Sequence, residues 1–402
     1  MTAQLQSLPV LQLKRNEDRR IRQGHCWVFS NEVDTTNTPL KAFSPGDIVA
    51  IRDIKGKVLG TGYVNPNSLI AARLVSRDPH YPFNASLIVH RIKVALAMRE
   101  KLFPAPYYRL LFGESDGLPG LVVDRFDDVL VVQITTAGME RQRQAIIDAL
   151  NKVLSPDVIM LRNDNAIRDL EGLERYVEVA QGKMPESVEL YEHGNPFVAP
   201  LAGGQKTGWF FDQHDNRRDL GRWVNGARVL DVFSYIGGWG IQAAKNGAAS
   251  VLCVDESPLA MEYLQKNAEL NEVDDIVSGL QGEAFAALKS LKEAGETYDV
   301  IVVDPPAFIK RRKDYKKGLE AYQRINGLAM RLLSRDGLLI SCSCSHHLGR
   351  ADLIQALNRA VRHIGGRELQ IVAQGFQAAD HPIHPAIPET EYLKAVFSRV
   401  VR

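Results

Sequence analysis

From about Ala227 onward the chain follows one rule: short apolar strands alternate with helical stretches. The pattern predicts strands at Val229–Phe233, Val251–Asp255, Ile276–Leu280, Val300–Asp304 and Leu338–Ser343. Between them it predicts helices at Gly237–Asn246, Pro258–Asn271, Ala284–Ala294 and Leu319–Leu333. Near-continuous apolar strands separated by helices mean a mostly parallel sheet covered on both faces, an α/β fold of the Rossmann-like kind. Such sheets bind ligands beyond the carboxyl ends of their strands. The chemistry of this chain is therefore expected just after each strand.

The residues at those positions are informative. The first strand runs into Asp231-Val232-Phe233-Ser234-Tyr235-Ile236-Gly237-Gly238-Trp239-Gly240, a tight turn that leads directly into a helix. Its glycine spacing is not GxGxxG, which argues against a site that grips a pyrophosphate. The second strand ends in Asp255, placed either to accept from ribose hydroxyls or to cap the helix that follows. Gly282-Glu283-Ala284 follows the third strand, where a carboxylate or the backbone can meet an adenine amino group. The fourth strand ends in Asp304-Pro305-Pro306-Ala307-Phe308. Together these resemble the class I S-adenosylmethionine methyltransferases. The resemblance implies S-adenosyl-L-methionine as cofactor, held by Asp231, Phe233, Ser234, Tyr235, Gly237, Asp255, Glu283 and Asp304.

The acceptor atom is read from two segments. Asp304-Pro305-Pro306 makes a rigid turn whose aspartate or carbonyls can hydrogen-bond a base edge. Similar turns occur in enzymes that methylate exocyclic amines, although there the aromatic residue follows directly, without Ala307. Ser341-Cys342-Ser343-Cys344-Ser345-His346-His347 lies at the carboxyl end of the fifth strand. Methylation of a pyrimidine at C5 needs a thiolate that adds to C6, because C5 alone is a poor nucleophile. Cys344, at the strand exit, suits that role, whereas Cys342 and Cys253 also read as plain core residues. Cys26 and His25 read as structural. A closed zinc site needs four ligands, and no second Cys or His pair stands at finger spacing, so no metal is expected.

Gln205-Lys206-Thr207-Gly208-Trp209-Phe210-Phe211-Asp212-Gln213-His214-Asp215-Asn216-Arg217 resembles the KTGFFLDQRxNR signature of the ribosomal RNA large subunit methyltransferase I family. The first-strand, Asp-Pro-Pro and Ser343-Cys344-Ser345 motifs match the same family in order. The resemblance covers essentially the whole chain. It implies an enzyme that methylates cytosine C5 in 23S ribosomal RNA, with Cys344 as nucleophile and Asp304 beside it. Many RNA 5-methylcytosine enzymes carry a second cysteine where Pro306 and Ala307 stand here. The base that removes the C5 proton is therefore unassigned, with Cys342 and His346 as candidates. Lys206, Arg217, Pro305, Pro306, Phe308, Lys310 and Arg311 are the candidate RNA contacts. The segment Lys206–Arg217 is expected to fold over the cofactor or target base, or else to serve as a structural lead-in.

The N-terminal half reads differently. Apolar runs Val49–Ile51 and Val58–Val64, set off by turn residues, suggest a small barrel. The family resemblance makes this a PUA RNA-binding domain at 1–75. A helix over Phe83–Phe103 and strands at Leu121–Asp124, Val129–Thr135 and Val158–Leu161 predict a central α+β domain at 76–198. The methyltransferase domain takes 199–402. A formal charge of +1 excludes a polyanion binder that works by bulk charge and leaves local basic runs, Lys14–Arg22 and Lys310–Lys317, as phosphate contacts or solvated faces. No membrane-spanning run or secretion signal is legible, and four cysteines make no disulfide framework, which points to the cytoplasm. The expected partner is 23S ribosomal RNA or a large-subunit precursor, and a homodimer stays open. Two other readings stay open: a base N-methyltransferase (exocyclic amine or guanine N7) with a spectator cysteine, and a non-catalytic RNA-binding protein.

Overall fold

The computed structural model describes residues 7–201, 203–204 and 207–401. The chain forms two compact units, Met1–Pro185 with Ala379–Thr390, and Glu186–Ala378 with Glu391–Arg402. No helix among the described residues is long and apolar enough to cross a membrane.

The first unit opens with a five-stranded sheet in the spatial order Val10–Gln12, Asp47–Arg52, Val58–Val64, Ala72–Ser76, Trp27–Val28. Its core is Leu11, Val28, Val49, Ile51, Val64 and Leu74, joined by Ile387 from the returning segment. A second five-stranded sheet, ordered Tyr176–Gln181, Val158–Asn163, Val129–Ile134, Leu121–Phe126, Tyr107–Phe112, packs with helices Ala85–Leu102 and Arg143–Leu154. Asn84 caps the first of these helices by accepting from Leu87 N at 3.0 Å, and Pro104 prevents its continuation. Glu171 pins the two sheets together, accepting from Asn65 Nδ2 at 2.8 Å and pairing with buried Arg73 at 2.9 Å.

In the second unit we label the strands of its seven-stranded sheet β1 (Arg228–Val232), β2 (Ser250–Asp255), β3 (Val277–Gln281), β4 (Tyr298–Val303), β5 (Leu333–Ser343), β6 (Glu368–Gly375) and β7 (Lys394–Val401). Their order is β3-β2-β1-β4-β5-β7-β6. The first five are parallel, while β7 runs antiparallel to both β5 and β6. The helices are α1 (His214–Leu220), α2 (Gly238–Lys245), α3 (Pro258–Leu270), α4 (Ala284–Glu293), α5 (Tyr315–Met330) and α6 (Arg350–Arg362). Ser257 caps α3, accepting from Ala260 N at 3.2 Å with Pro258 in the first turn, and Glu283 caps α4. A hairpin, Ser187–Glu192 with Asn195–Pro200, precedes the sheet. The expected α/β class and Rossmann-like sheet are what the second half forms, and the first half opens with a five-stranded sheet.

Candidate active site

Strand order reverses at β1, and there the carboxyl ends of β1, β2 and β4 open onto a cleft of about 520 Å³. That volume suits a cofactor-sized ligand. Phe233 (φ 67°) and Tyr235 (φ 50°) both adopt left-handed backbone, and Gly237 (φ 87°) follows. Such conformations cost roughly 1–3 kcal/mol per non-glycine residue and persist only where neighbours hold them. Here Phe233 N and Ser234 N both donate to Val254 O, and Tyr235 N donates to Asp255 Oδ2 at 2.9 Å. Asp255 Oδ1 accepts from Ser257 N at 3.0 Å. Asp255 thus anchors the glycine turn, while Ser257 makes the helix cap.

Of the expected cofactor residues, Phe233, Ser234, Tyr235, Asp255, Glu283 and Asp304 line the cleft, and Gly238 lines it next to Gly237. Asp231 does not. Its side chain is fully buried and its Oδ2 accepts from Gly240 N at 3.0 Å, tying β1 to the first turn of α2. Exposed Glu283 uses Oε2 to accept from Ala286 N at 2.9 Å.

The cleft is acidic. Asp304 Oδ2 accepts from Gln213 Nε2 at 3.0 Å and from Trp239 Nε1 at 3.1 Å. Burial, with the charge of Asp212 nearby, lifts the Asp304 carboxyl to about 6. Burial and the charges of Asp304 and Asp255 lift Asp231 to about 8. The neighbouring cation, Arg217, is spent elsewhere. It is buried, pairs bidentately with Glu192 at 2.5 and 2.7 Å, donates to Phe210 O at 2.8 Å and lies over the Trp209 ring. On the lining Asp212, Asp255, Glu256, Glu283 and Asp304 outnumber Arg217 and Lys310, an excess of carboxylates that favours a cationic ligand. S-adenosylmethionine, with a sulfonium and an ammonium against one carboxylate, fits that donor set.

The Asp-Pro-Pro turn and the cysteine segment meet here. Cys344, the first residue past β5, lines the cleft, and its Sγ approaches Pro305 O at 3.9 Å. Its flanking serines form a scaffold. Ser343 Oγ donates to Tyr322 Oη at 2.9 Å, and that hydroxyl bonds Ser345 Oγ at 2.9 Å. Ser345 Oγ also accepts from Ile309 N at 3.1 Å, which clips the loop after Asp304 to the cysteine turn. Gly318 on α5 permits this: a methyl there would sit 2.3 Å from Ile309 Cγ1.

Pro305, Pro306, Phe308 and Lys310 line the same cleft, and Phe308 packs 4.9 Å from the Tyr322 ring. Exposed Arg311 lies outside the lining and pairs with Asp314 at 3.0 Å. Lys206 lies outside the described residues. Cys26, Cys253 and Cys342 are buried and do not line the cleft, and burial pushes the Cys342 thiol up. His346 is exposed and also outside the lining. Among the described residues, no group of three or more His, Cys, Asp or Glu could hold a metal ion.

Sequence reasoning missed Glu256, Gln213, Trp209 and Lys394. The first three line the cleft, and two of them sit in the 205–217 signature already singled out. Lys394 carries no signal, because only the β5–β7 register sets it opposite Ser343.

The sheet order and this cleft together define an S-adenosylmethionine-dependent methyltransferase. The family model described as S-adenosylmethionine-dependent methyltransferase matches residues 114–377, and one described as a PUA-like domain matches 11–77. Proteins called ribosomal RNA large subunit methyltransferase I from Cronobacter sakazakii and from Salmonella arizonae are each 36% identical to this chain. The alignments cover 97% of this chain and 99% of the first, and 98% of this chain and 98% of the second. The chain belongs to the ribosomal RNA large subunit methyltransferase I family and is an enzyme. Its fold is shared with a SAM-dependent methyltransferase from Streptococcus mutans (TM-score 0.82, 19% identity, 98% of this chain and all of that one). It is shared equally with a methyltransferase solved in complex with SAH (TM-score 0.83, 20% identity, the same coverage).

Proposed function

We propose that the enzyme methylates C5 of a cytosine in 23S ribosomal RNA, free or in a large-subunit precursor, and that Cys344 is the nucleophile. The observation that carries this reading is the meeting of Cys344 with the Asp304-Pro305-Pro306 turn: of four cysteines, it alone lines the cofactor cleft. The names of the relatives support large-subunit ribosomal RNA as substrate.

The cofactor supplies an electrophilic methyl group. The chain's own part is to make C5 able to take it. The Cys344 thiolate forms a bond to C6, and the C5–C6 π electrons move onto C5, which takes the methyl carbon as that carbon's bond to the sulfonium sulfur breaks and its electron pair leaves with a neutral thioether. A base then takes the C5 proton, the C5–C6 double bond re-forms, and the S–C6 bond breaks to return the thiolate. Asp304, with its carboxyl near 6, holds the base edge and can exchange a proton there. Asp255, Glu283 and the Phe233–Gly237 turn would hold the cofactor, and Asp231 ties β1 to the helix that follows that turn. Pro305, Pro306 and Phe308 wall the base, while Lys310, Arg311 and Lys206 meet phosphates. Arg217 acts by holding the segment that carries Trp209 and Gln213. Residues 1–75 and 76–198 grip the RNA, 199–402 catalyse, and the enzyme works in the cytoplasm.

The test is nucleoside mass spectrometry of large-subunit RNA from cells lacking the protein, after incubation with enzyme and cofactor. The expected product is 5-methylcytidine. An N-methylated base instead would overturn the C5 reading and favour the alternative, in which Asp304 positions an exocyclic amine or guanine N7.

A further inference from the structure

Lys394 opens β7 and is 4% exposed. It stands opposite Ser343 in the antiparallel β5–β7 ladder, one residue from the cysteine. Its Nζ donates to Ser345 O at 2.7 Å, the carbonyl just after Cys344. Among the described residues, no carboxylate oxygen lies within 4.0 Å of that nitrogen, so Lys394 makes no ion pair there. A buried ammonium that faces a carbonyl and no carboxylate is an expensive arrangement unless an anion completes it. The charged or titratable groups that act on Lys394 are Cys344 just past the end of β5, Arg350 at the start of α6, and exposed Glu391 just before β7. Arg350 is committed to Gly375 O at 2.8 Å and to the face of Phe376. Tyr322 and Cys342 also feel the charge of the Cys344 thiol, and burial pushes both up.

We propose that the Lys394 ammonium is the counter-ion that holds Cys344 as a thiolate, making this lysine the positioning residue that arms the nucleophile. The proposal rests on the reading of Cys344 as nucleophile and deepens it. Cys344 S–H gives its proton to solvent, and the resulting negative sulfur pairs with Lys394, which keeps its three N–H bonds. When sulfur adds to C6, the charge passes to the pyrimidine and the pair is broken. When the S–C6 bond breaks, the thiolate returns to Lys394. Burial lowers Lys394 to about 8, and at neutral pH it still carries its charge in most molecules.

The test measures alkylation of Cys344 by iodoacetamide, followed by mass spectrometry of the Cys344 peptide, from pH 5.5 to 10 in the full-length enzyme. Only the thiolate reacts. Wild type and Lys394→Arg should share a low midpoint. Lys394→Met should shift it up by about one pH unit or more, which slows alkylation roughly tenfold at pH values below both midpoints. A Lys394→Met profile that overlays wild type overturns the proposal and leaves the nucleophile reading intact. If Lys394→Met does not fold, the decisive measurement is thiolate absorbance of wild type against Cys344→Ser. There, a Cys344 midpoint at or above the ordinary thiol range of about 8.5 overturns the proposal. Methyl transfer by Cys344→Ala would sink the nucleophile reading instead, whatever the alkylation profile.

Discussion

Glu192→Gln removes one charge from the best-buried ion pair of the second unit. The pair's side chains are 2% and 3% exposed and meet through two short contacts, with Trp209 Nε1 adding a third donor to Glu192 at 3.1 Å. Glutamine fills the same volume, so no cavity opens. It leaves the Arg217 charge buried without a partner and turns an NH2 against donors already in place. Removing one member of such a pair costs about 3–5 kcal/mol. For a unit of roughly 200 residues each kcal/mol moves Tm by about 2–4 °C, giving a drop of roughly 6–20 °C. Urea unfolding followed by tryptophan fluorescence reads the loss directly, and calorimetry should show weaker cofactor binding as Trp209 and Gln213 lose their anchor. The acid side adds a check on sign. Burial pushes the Glu192 carboxyl up, but the charge and hydrogen bonds of Arg217 outweigh it and hold it below its ordinary value. The folded state then binds fewer protons than the unfolded one near pH 4.5. The pair's contribution is therefore complete above that pH and is lost as pH falls below it. Wild type should lose this increment on acidification and Glu192→Gln should not. A variant within about 0.5 kcal/mol of wild type would refute the argument that Arg217 is desolvated and dependent on Glu192.

Three further outcomes follow from the same geometry. Tyr322→Phe deletes the hydroxyl that joins Ser343 to Ser345, and it should cost about 1–3 kcal/mol in unfolding experiments. It should also lower kcat roughly tenfold or more through a misplaced Cys344, while cofactor affinity by calorimetry stays constant. Gly318→Ala sets a methyl 2.3 Å from Ile309 Cγ1 and 2.9 Å from Phe308 O, so single-turnover assays should show slower methyl transfer and unfolding a loss of about 1–3 kcal/mol. Because the Asp304 carboxyl is raised to about 6, a cationic cofactor that needs it ionised should bind about tenfold tighter per pH unit up to that point and level off above it. Calorimetry from pH 5 to 8 checks this, and a flat Kd contradicts it. The free enzyme should lose stability as pH rises from about 3.8 towards 6, since its folded state holds the proton more tightly.

Much of the second unit is legible in the sequence because strands buried on both faces need continuous apolar runs, and Val300–Val303 can be little else. Strand ends are legible for the same reason: Asp255 closes β2 and Asp304 follows β4, where those runs stop. Cys344 falls one residue past β5, as its distance from Gly337 implies. Partners distant in sequence are not legible. Arg217 reads as an RNA contact until the hairpin strand ending at Glu192 absorbs its donors. Lys394 is 50 residues beyond Cys344 and is brought beside it by a strand that runs antiparallel in an otherwise parallel neighbourhood. Residues 379–390 return to the first unit, where Arg99 donates to Asp380 O at 2.7 Å, an excursion no periodicity announces.

The most direct measurement of the central claim compares Cys344→Ala with Cys342→Ala in methyl transfer to large-subunit RNA, alongside cofactor binding by calorimetry. The thiol that lines the cleft is the one the reaction needs. Cys344→Ala should bind the cofactor as wild type does and form no 5-methylcytidine, while Cys342→Ala keeps its activity. 5-Methylcytidine produced by Cys344→Ala at the wild-type rate would contradict the account.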